Sequence, residues 1–187
     1  GGISVFAINP NVLAKLPYDP DKDLTKVVQT YFNPGLLAVT LALPIQSMKD
    51  LIDYAKKNPG KLSYGSSGNG TSSHLSGELL NLMTGTQLVH VPYKLVDQGV
   101  ADTIGGRLPL MFNNMGPMLP QVKAGRIRGL GVTSLKRSPA IPELPAIAET
   151  VPDFEVTVWG GVVAPAGVPK AIVARLNAAI NKALASP

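Results

Sequence analysis

The chain of 187 residues has no cysteine, two histidines and no long hydrophobic run. The absence of cysteine excludes disulfides and thiolate metal sites. Two histidines are too few to suggest a metal site, so we expect neither a metal nor another cofactor. No stretch approaches the roughly eighteen continuous apolar residues that a membrane helix needs.

The charged residues are few and scattered. Lysine and arginine number 17 and aspartate and glutamate 12, which gives a formal net charge of +5. Adjacent positive residues occur only at Lys56-Lys57 and Lys136-Arg137. Without a basic run, a basic helix or a zinc-finger spacing, we do not expect nucleic-acid binding. A modest attraction for anions is the better interpretation of this charge.

Apolar residues make up 45% of the chain, which is enough for a sizeable core. Helical and extended patterns alternate along it. Ser47 and Asp50 resemble a capping box, followed by a helical stripe that ends at Asn58-Pro59-Gly60. Further helices are predicted at 75–83, at 96–104, from Pro117 onward and near 170–184, with strands at 62–65, 87–91, 108–112, 127–133 and 155–164. This alternation predicts parallel βαβ units and an α/β sheet covered by helices.

The two ends suggest that the sequence belongs to a longer protein. Residues 1–6 read as the end of a strand entering a loop, and residues 185–187 follow the last helix and close no further element. We therefore expect the fold to be truncated at both ends.

The stretch YGSSGNGTSSHL, residues 64–75, has the composition of an anion-binding loop. It lacks the lysine of a phosphate-binding Walker motif, and Ser73 stands where a dinucleotide fingerprint needs its third glycine. At the carboxyl end of a strand and the start of a helix, such a loop suits a carboxylate. The simpler alternative is a tight turn in which Thr71 or Ser72 only caps the helix. The candidate binding residues in it are Ser66, Ser67, Asn69, Gly70, Thr71 and Ser72.

Other polar residues leave alternatives open. Asn113 and Asn114 follow a predicted strand and form either a turn or part of a site. His74 would be the base of an enzyme that uses the loop as an oxyanion site, but no Gly-x-Ser-x-Gly elbow or carboxylate pair accompanies it. His90, within an apolar strand, fits a structural role better. The effector domain of a transcription regulator is a further alternative, although no helix-turn-helix segment is present.

Several long segments resemble one family. They are AINPNVLAKLPYDPDKD (7–23), NPGKLSYGSSGNGTSSHLSGELL (58–80), VHVPYK (89–94), KAGRIRGLGVTSLKRSPAIPELPAIAE (123–149) and APAGVPKAIVARLN (164–177). They closely resemble the Bug family, the tripartite tricarboxylate transporter substrate-binding proteins, and the resemblance runs over essentially the whole chain.

The resemblance implies a type II periplasmic-binding-protein fold of two lobes with parallel-rich sheets and a hinge. It implies a periplasmic, monomeric protein, not an enzyme, that captures a small organic carboxylate by lobe closure. Components of a tripartite tricarboxylate transporter are the implied membrane partners. Residues 1–30 and 159–187 would belong to an incomplete first domain and residues 31–158 to the second, joined by two crossover strands.

The resemblance also implies ligand-binding residues. The loop residues from Ser66 to Ser72 named above would form the second domain's half of the site. Asn114 matches an asparagine in the family's FDN loop, and Ser4 lies in the segment that corresponds to a ligand loop of the first domain. Asn113 replaces the aspartate of that FDN loop, which removes a negative charge close to the expected anion.

Overall fold

The computed structural model describes residues 2–186, without the side chains of Ser4 and Val12. These residues divide into two compact units. Unit 1 comprises residues 1–32 and 158–187, and unit 2 comprises residues 33–157.

Unit 2 is a sheet with helices on both faces. Its strands lie in the order β3-β2-β4-β1-β5. β2 pairs in parallel with β3 and β4, whereas β1 pairs antiparallel with β4 and β5. The elements are β1 (Leu24–Val39), α2 (Met48–Lys57), β2 (Ser63–Ser66), α3 (Ser72–Thr84), β3 (Val89–Pro92), α4 (Val96–Ile104), β4 (Leu110–Asn114), α5 (Met115–Lys123), β5 (Arg128–Val132) and a 3₁₀ turn (Ile147–Glu149).

The core of unit 2 follows from the alternation of side chains along its central strand. Leu37 and Val39 of β1 pack in a cluster with residues of α2 and α3, such as Leu51 and Leu80. Leu36 and Ala38 point the other way and join a second cluster that contains Met118 of α5. Residues 36–39 are fully buried. Unit 2 therefore has a hydrophobic layer on each face of the sheet.

Unit 1 contains a π-helical turn (Ser4–Ile8), α1 (Asn9–Val12), the first part of β1, β6 (Thr157–Pro165) and α6 (Lys170–Leu184). β6 pairs with β1, and the side-chain Nδ2 of Asn177 in α6 donates to the carbonyl of Val27 at 2.7 Å. Its buried apolar side chains include Ile8, Val27 and Ala164. α6 itself has no buried residue, so unit 1 is much less well packed than unit 2.

The structure confirms the predicted α/β class and corrects three details. Residues 4–8 are helical rather than the end of a strand. The sheet is mixed, because β1 runs antiparallel to β4 and β5, whereas β2 has the predicted parallel relation to β3 and β4. α5 begins at Met115, two residues before Pro117. In the described part of the chain no helix combines the length and the apolar character needed to cross a membrane.

Gly77 tests how tightly α3 packs on the sheet. A Cβ placed on Gly77 would overlap the ring of Tyr64, which is fully buried. We expect Gly77→Ala to destabilise the protein by about 1 to 3 kcal/mol, because the added methyl group must displace either the buried Tyr64 ring or α3. Thermal unfolding measures this change.

Gly116→Ala is the matched control, since Gly116 also lies in a helix but its added Cβ meets no atom within 4 Å. Its stability should stay the same or rise by up to about 1 kcal/mol through helix propensity. Equal melting temperatures for the two variants would contradict the close packing of α3 on Tyr64.

Candidate functional site

The candidate loop and Asn114 lie at the same edge of the sheet. β2 and β4 run parallel, with Tyr64 opposite Leu110 and Gly65 opposite Met111. Their carboxyl ends therefore meet at one edge. Residues 66–72 leave β2 there and enter α3, and Asn114 leaves β4 there and enters α5. This is the edge at which ligands bind in open α/β sheets.

The shape of the loop is determined by the N-cap residue of α3 and by two glycines. Thr71 is the N-cap of α3, and its Oγ1 accepts from the backbone N–H of His74 at 3.4 Å. The same hydroxyl donates to the carbonyl of Gly68 at 2.7 Å. Gly68 and Gly70 have φ angles of 119° and 72°. Other residue types rarely adopt such angles, so glycine is required at both positions.

Three backbone N–H groups of this loop remain available. Within the described residues, the amides of Asn69, Ser72 and Ser73 have no hydrogen-bond acceptor. Ser72 and Ser73 form the first turn of α3, where the helix dipole favours a negative charge. Asn69 is exposed. The loop therefore offers neutral backbone donors at a positive helix end, which suits a carboxylate.

Several loop side chains are used internally rather than presented to solvent. Ser66 is fully buried, and its Oγ accepts from the N–H of Gly68 at 3.1 Å. The Oγ atoms of Ser67 and Ser73 lie 2.9 Å apart, and the Ser67 N–H donates to Ser73 Oγ at 3.0 Å. Among the residues predicted from sequence, Ser66 and Ser67 thus shape the loop, while Asn69 and Ser72 supply its free amides.

Two histidines lie behind the loop. His74 and His90 have ring centroids 4.0 Å apart. Nδ1 of His74 accepts from the N–H of Gly70 at 3.1 Å, and Nε2 of His90 lies 2.6 Å from Ser66 Oγ. Burial lowers the pKa of His90, and the neighbouring His74 lowers it further, against a smaller opposing effect of Glu78. The neutral form of His90 therefore suits the loop as it stands.

The Ser66–His90 contact has the length of a nucleophile–base pair, but its surroundings do not suit catalysis. Ser66 Oγ accepts from the Gly68 N–H, donates to the Gly68 carbonyl at 3.2 Å and lies against His90, so its hydrogen bonds are all used within the loop. The pKa of the neighbouring Tyr64 is raised by burial and by Glu78, whose carboxylate accepts from the Tyr64 hydroxyl at 2.7 Å. No cluster of three metal-ligating side chains occurs within residues 2–186.

The remaining predicted residues are placed as follows. Asn114 is the exposed N-cap of α5, and its side chain makes no capping bond. Ser4 lies in the π-helical turn of unit 1, and its side chain is outside the described part of the structure. Unit 1 also has a cavity of about 540 Å³ that is lined mainly by apolar side chains, including Phe6 and Trp159. Lys26 and Gln29 are the charged and polar side chains of its lining.

The sequence matches the family described as "Tripartite tricarboxylate transporter family receptor" over residues 2–187. The chain belongs to this family. It is 43% identical over 92% of its length to the "UPF0065 protein in tcbD-tcbE intergenic region" of Pseudomonas sp. (strain P51), and spans 52% of that relative. It is 32% identical to "Protein BugT" of Bordetella pertussis, over 97% of this chain and 56% of that one. The chain thus spans about half the length of these curated relatives.

Two solved structures have a similar fold. "R. palustris Rpa4515 with adipate" has 41% sequence identity and a TM-score of 0.84, covering all of this chain and 62% of that one. "MatC (Rpa3494) from Rhodopseudomonas palustris with bound malate" has 28% identity and a TM-score of 0.80, covering all of this chain and 64% of that one. These comparisons confirm the resemblance to the Bug family and the periplasmic-binding-protein-like fold. The family is one of substrate-binding proteins, not enzymes.

Sequence reasoning did not identify His90 as a partner of the loop. The two residues of the Ser66–His90 contact are 24 positions apart and meet because β2 and β3 are neighbours, with Tyr64 opposite His90. A period-two alternation in both strands places Tyr64, Ser66 and His90 on one face of the sheet. The missing information was which strands are adjacent.

The His90 environment predicts a pH dependence of stability. Its pKa in the folded protein lies below the ordinary 6.5, so the unfolded chain binds more protons as pH falls past that value. The stabilising contribution is fully present above pH 6.5 and is lost toward the lower, folded-state pKa. We expect the melting temperature to fall between pH 7.5 and 5.5, measured by calorimetry.

The variant His90→Gln should show a smaller slope over the same range, because glutamine does not titrate and keeps a polar group near Ser66. Carboxylates with lowered pKa values, such as Glu149 at about 2, titrate well below this window. An unchanged slope in His90→Gln would show that His90 is not the titrating group.

Proposed function

We propose that the chain is the ligand-binding part of a periplasmic solute-binding protein that captures a small organic carboxylate for uptake or sensing. The observation that supports this most directly is the set of unpaired amides of Asn69, Ser72 and Ser73 at the start of α3. A carboxylate carries one charge and needs a few hydrogen bonds, which neutral backbone donors supply.

The chemistry of the loop argues against phosphate as its ligand. Residues 64–75 contain no lysine or arginine, and phosphate sites of the Walker type depend on a lysine and a metal ligand. Adipate and malate, the ligands of the two related structures, are both carboxylates. The proposed site in unit 2 consists of Asn69, Gly70, Thr71, Ser72 and Asn114, in a loop shaped by Ser66 and Ser67, with Ser4 as the proposed contribution of unit 1.

The domain assignment and the partner are part of the same proposal. We propose that the two compact units correspond to the two domains of a binding protein, with the second domain at residues 31–158. The family description supports a membrane transporter of the tripartite tricarboxylate type as the partner. The protein is proposed to be monomeric and periplasmic.

Carboxylate binding should appear as thermal stabilisation. A ligand that binds only the folded state at a hundred times its Kd adds about 2.7 kcal/mol, which raises the melting temperature of a protein of this size by roughly 5 to 10 °C. We expect adipate to give such a shift. Its uncharged diamide should give none, since it has no carboxylate to meet the helix end. A larger shift with inorganic phosphate than with any carboxylate would overturn the proposed ligand class.

A pair of glycine variants separates binding from stability. Gly70 and Gly60 have φ angles of 72° and 70°, and a Cβ on either meets no atom within 4 Å. Alanine at each position should cost a similar free energy, about 1 to 2 kcal/mol, from the left-handed backbone alone. Gly60 precedes β2, at the opposite end of that strand from the loop, and its N–H donates to the backbone carbonyl of Gln87.

We therefore expect Gly70→Ala to raise the Kd for adipate at least roughly tenfold, the equivalent of 1.4 kcal/mol, and Gly60→Ala to leave it unchanged. Calorimetric titration gives the Kd and thermal unfolding gives the stability. If both variants lost affinity equally, the effect would come from general destabilisation and the loop would not be the site.

A further inference from the structure

Asn113 is a buried side chain with an unused hydrogen-bond donor. It is 4% exposed, and within the described residues its Nδ2 is the buried side-chain polar atom that has no partner. A buried donor without an acceptor is destabilising. Folding alone therefore gives no reason for the NH₂ group of this side chain.

The orientation of the Asn113 side-chain amide is fixed by a hydrogen bond to its oxygen. Oδ1 of Asn113 accepts from the backbone N–H of Asn114 at 2.7 Å. Exchanging oxygen and nitrogen would set two donors against each other, so the NH₂ group must be the free branch. Because Asn114 is the N-cap of α5, the free donor lies beside the first turn of that helix.

The first turn of α5 provides further donors at the same place. The Asn114 side chain makes no capping bond, and the third residue, Pro117, has no N–H. The amides of Met115 and Gly116 therefore remain, and the described residues supply no acceptor for either. Gly116 is exposed, and a Cβ placed on it would meet no atom within 4 Å, so the solvent side of this turn is open.

We propose that Asn113 is a specificity-determining residue whose Nδ2 donates to an oxygen of the bound carboxylate, directly or through one water molecule. The inference rests on the proposed function and extends the site from the start of α3 to the start of α5. Both helix ends lie at the carboxyl edge of the sheet, because β2 and β4 are parallel neighbours. An asparagine selects for an acceptor oxygen at this point and against an ammonium group.

The direct test is an NMR titration of the ¹⁵N-labelled chain with adipate, which also detects weak binding. The Asn113 side-chain NH₂ signals are assigned by their loss in Asn113→Asp. We expect them to shift together with the backbone amides of Asn69 and Ser72. The NH₂ signals of Asn58, whose Nδ2 already donates to the Tyr54 carbonyl at 2.9 Å, serve as the internal control and should not move.

Two variants test the energetic role. Asn113→Asp keeps the acceptor for the Asn114 N–H but replaces the donor by a negative oxygen. Asn113→Leu removes both the donor and that acceptor without adding charge. Each should weaken adipate binding roughly tenfold or more, as expected for a lost hydrogen bond to a charged group. The loss in Asn113→Leu would separate the missing donor from simple charge repulsion.

The outcomes distinguish this inference from the proposed function. If adipate shifts the loop amides but not the Asn113 NH₂ signals, the role of Asn113 is wrong while carboxylate binding stands. If adipate shifts no signal of the wild-type chain, the proposed function fails and the inference fails with it. The wild-type titration decides this even if a variant does not fold.

Discussion

The site depends on one constraint, which is that the first N–H groups of a helix have no partner within the helix. Unit 2 places the starts of α3 and α5 at a single edge, because the strands that precede them are parallel neighbours. The Thr71 hydroxyl accepts from only one amide of α3, that of His74. The remaining donors need an acceptor from outside the helix, and a carboxylate is a suitable one.

The loop keeps these donors free by using its own side chains elsewhere. The hydroxyls of Ser67 and Thr71 lie within hydrogen-bond distance of Ser73 Oγ, and Gly70 donates to His74. None of these groups competes with the ligand for the amides of Asn69 and Ser72. A donor set held in place before binding loses little conformational entropy when the ligand arrives, which favours affinity without a charged side chain.

Local sequence signals predicted the elements that have local causes. Ser47 was expected to cap a helix, and its side chain does accept from Asp50 N–H; the predicted helix at 96–104 has those bounds in the structure. β1 was missed as a sequence pattern because it is sixteen residues long and contains Asn33, Pro34 and Gly35, which usually signal a turn. Its antiparallel pairing and the Ser66–His90 contact depend on strand order, which periodicity does not contain.

The distribution of buried residues determines which unit can hold such a site rigidly. Unit 2 buries side chains on both faces of its sheet, including Leu36 and Leu37 on the two sides of β1. Unit 1 buries few, and α6 buries none. Resistance to local opening increases with buried apolar contacts. The strands and helices that set the geometry of the loop and of Asn113 belong to unit 2, so its own core is sufficient to keep their donors in place.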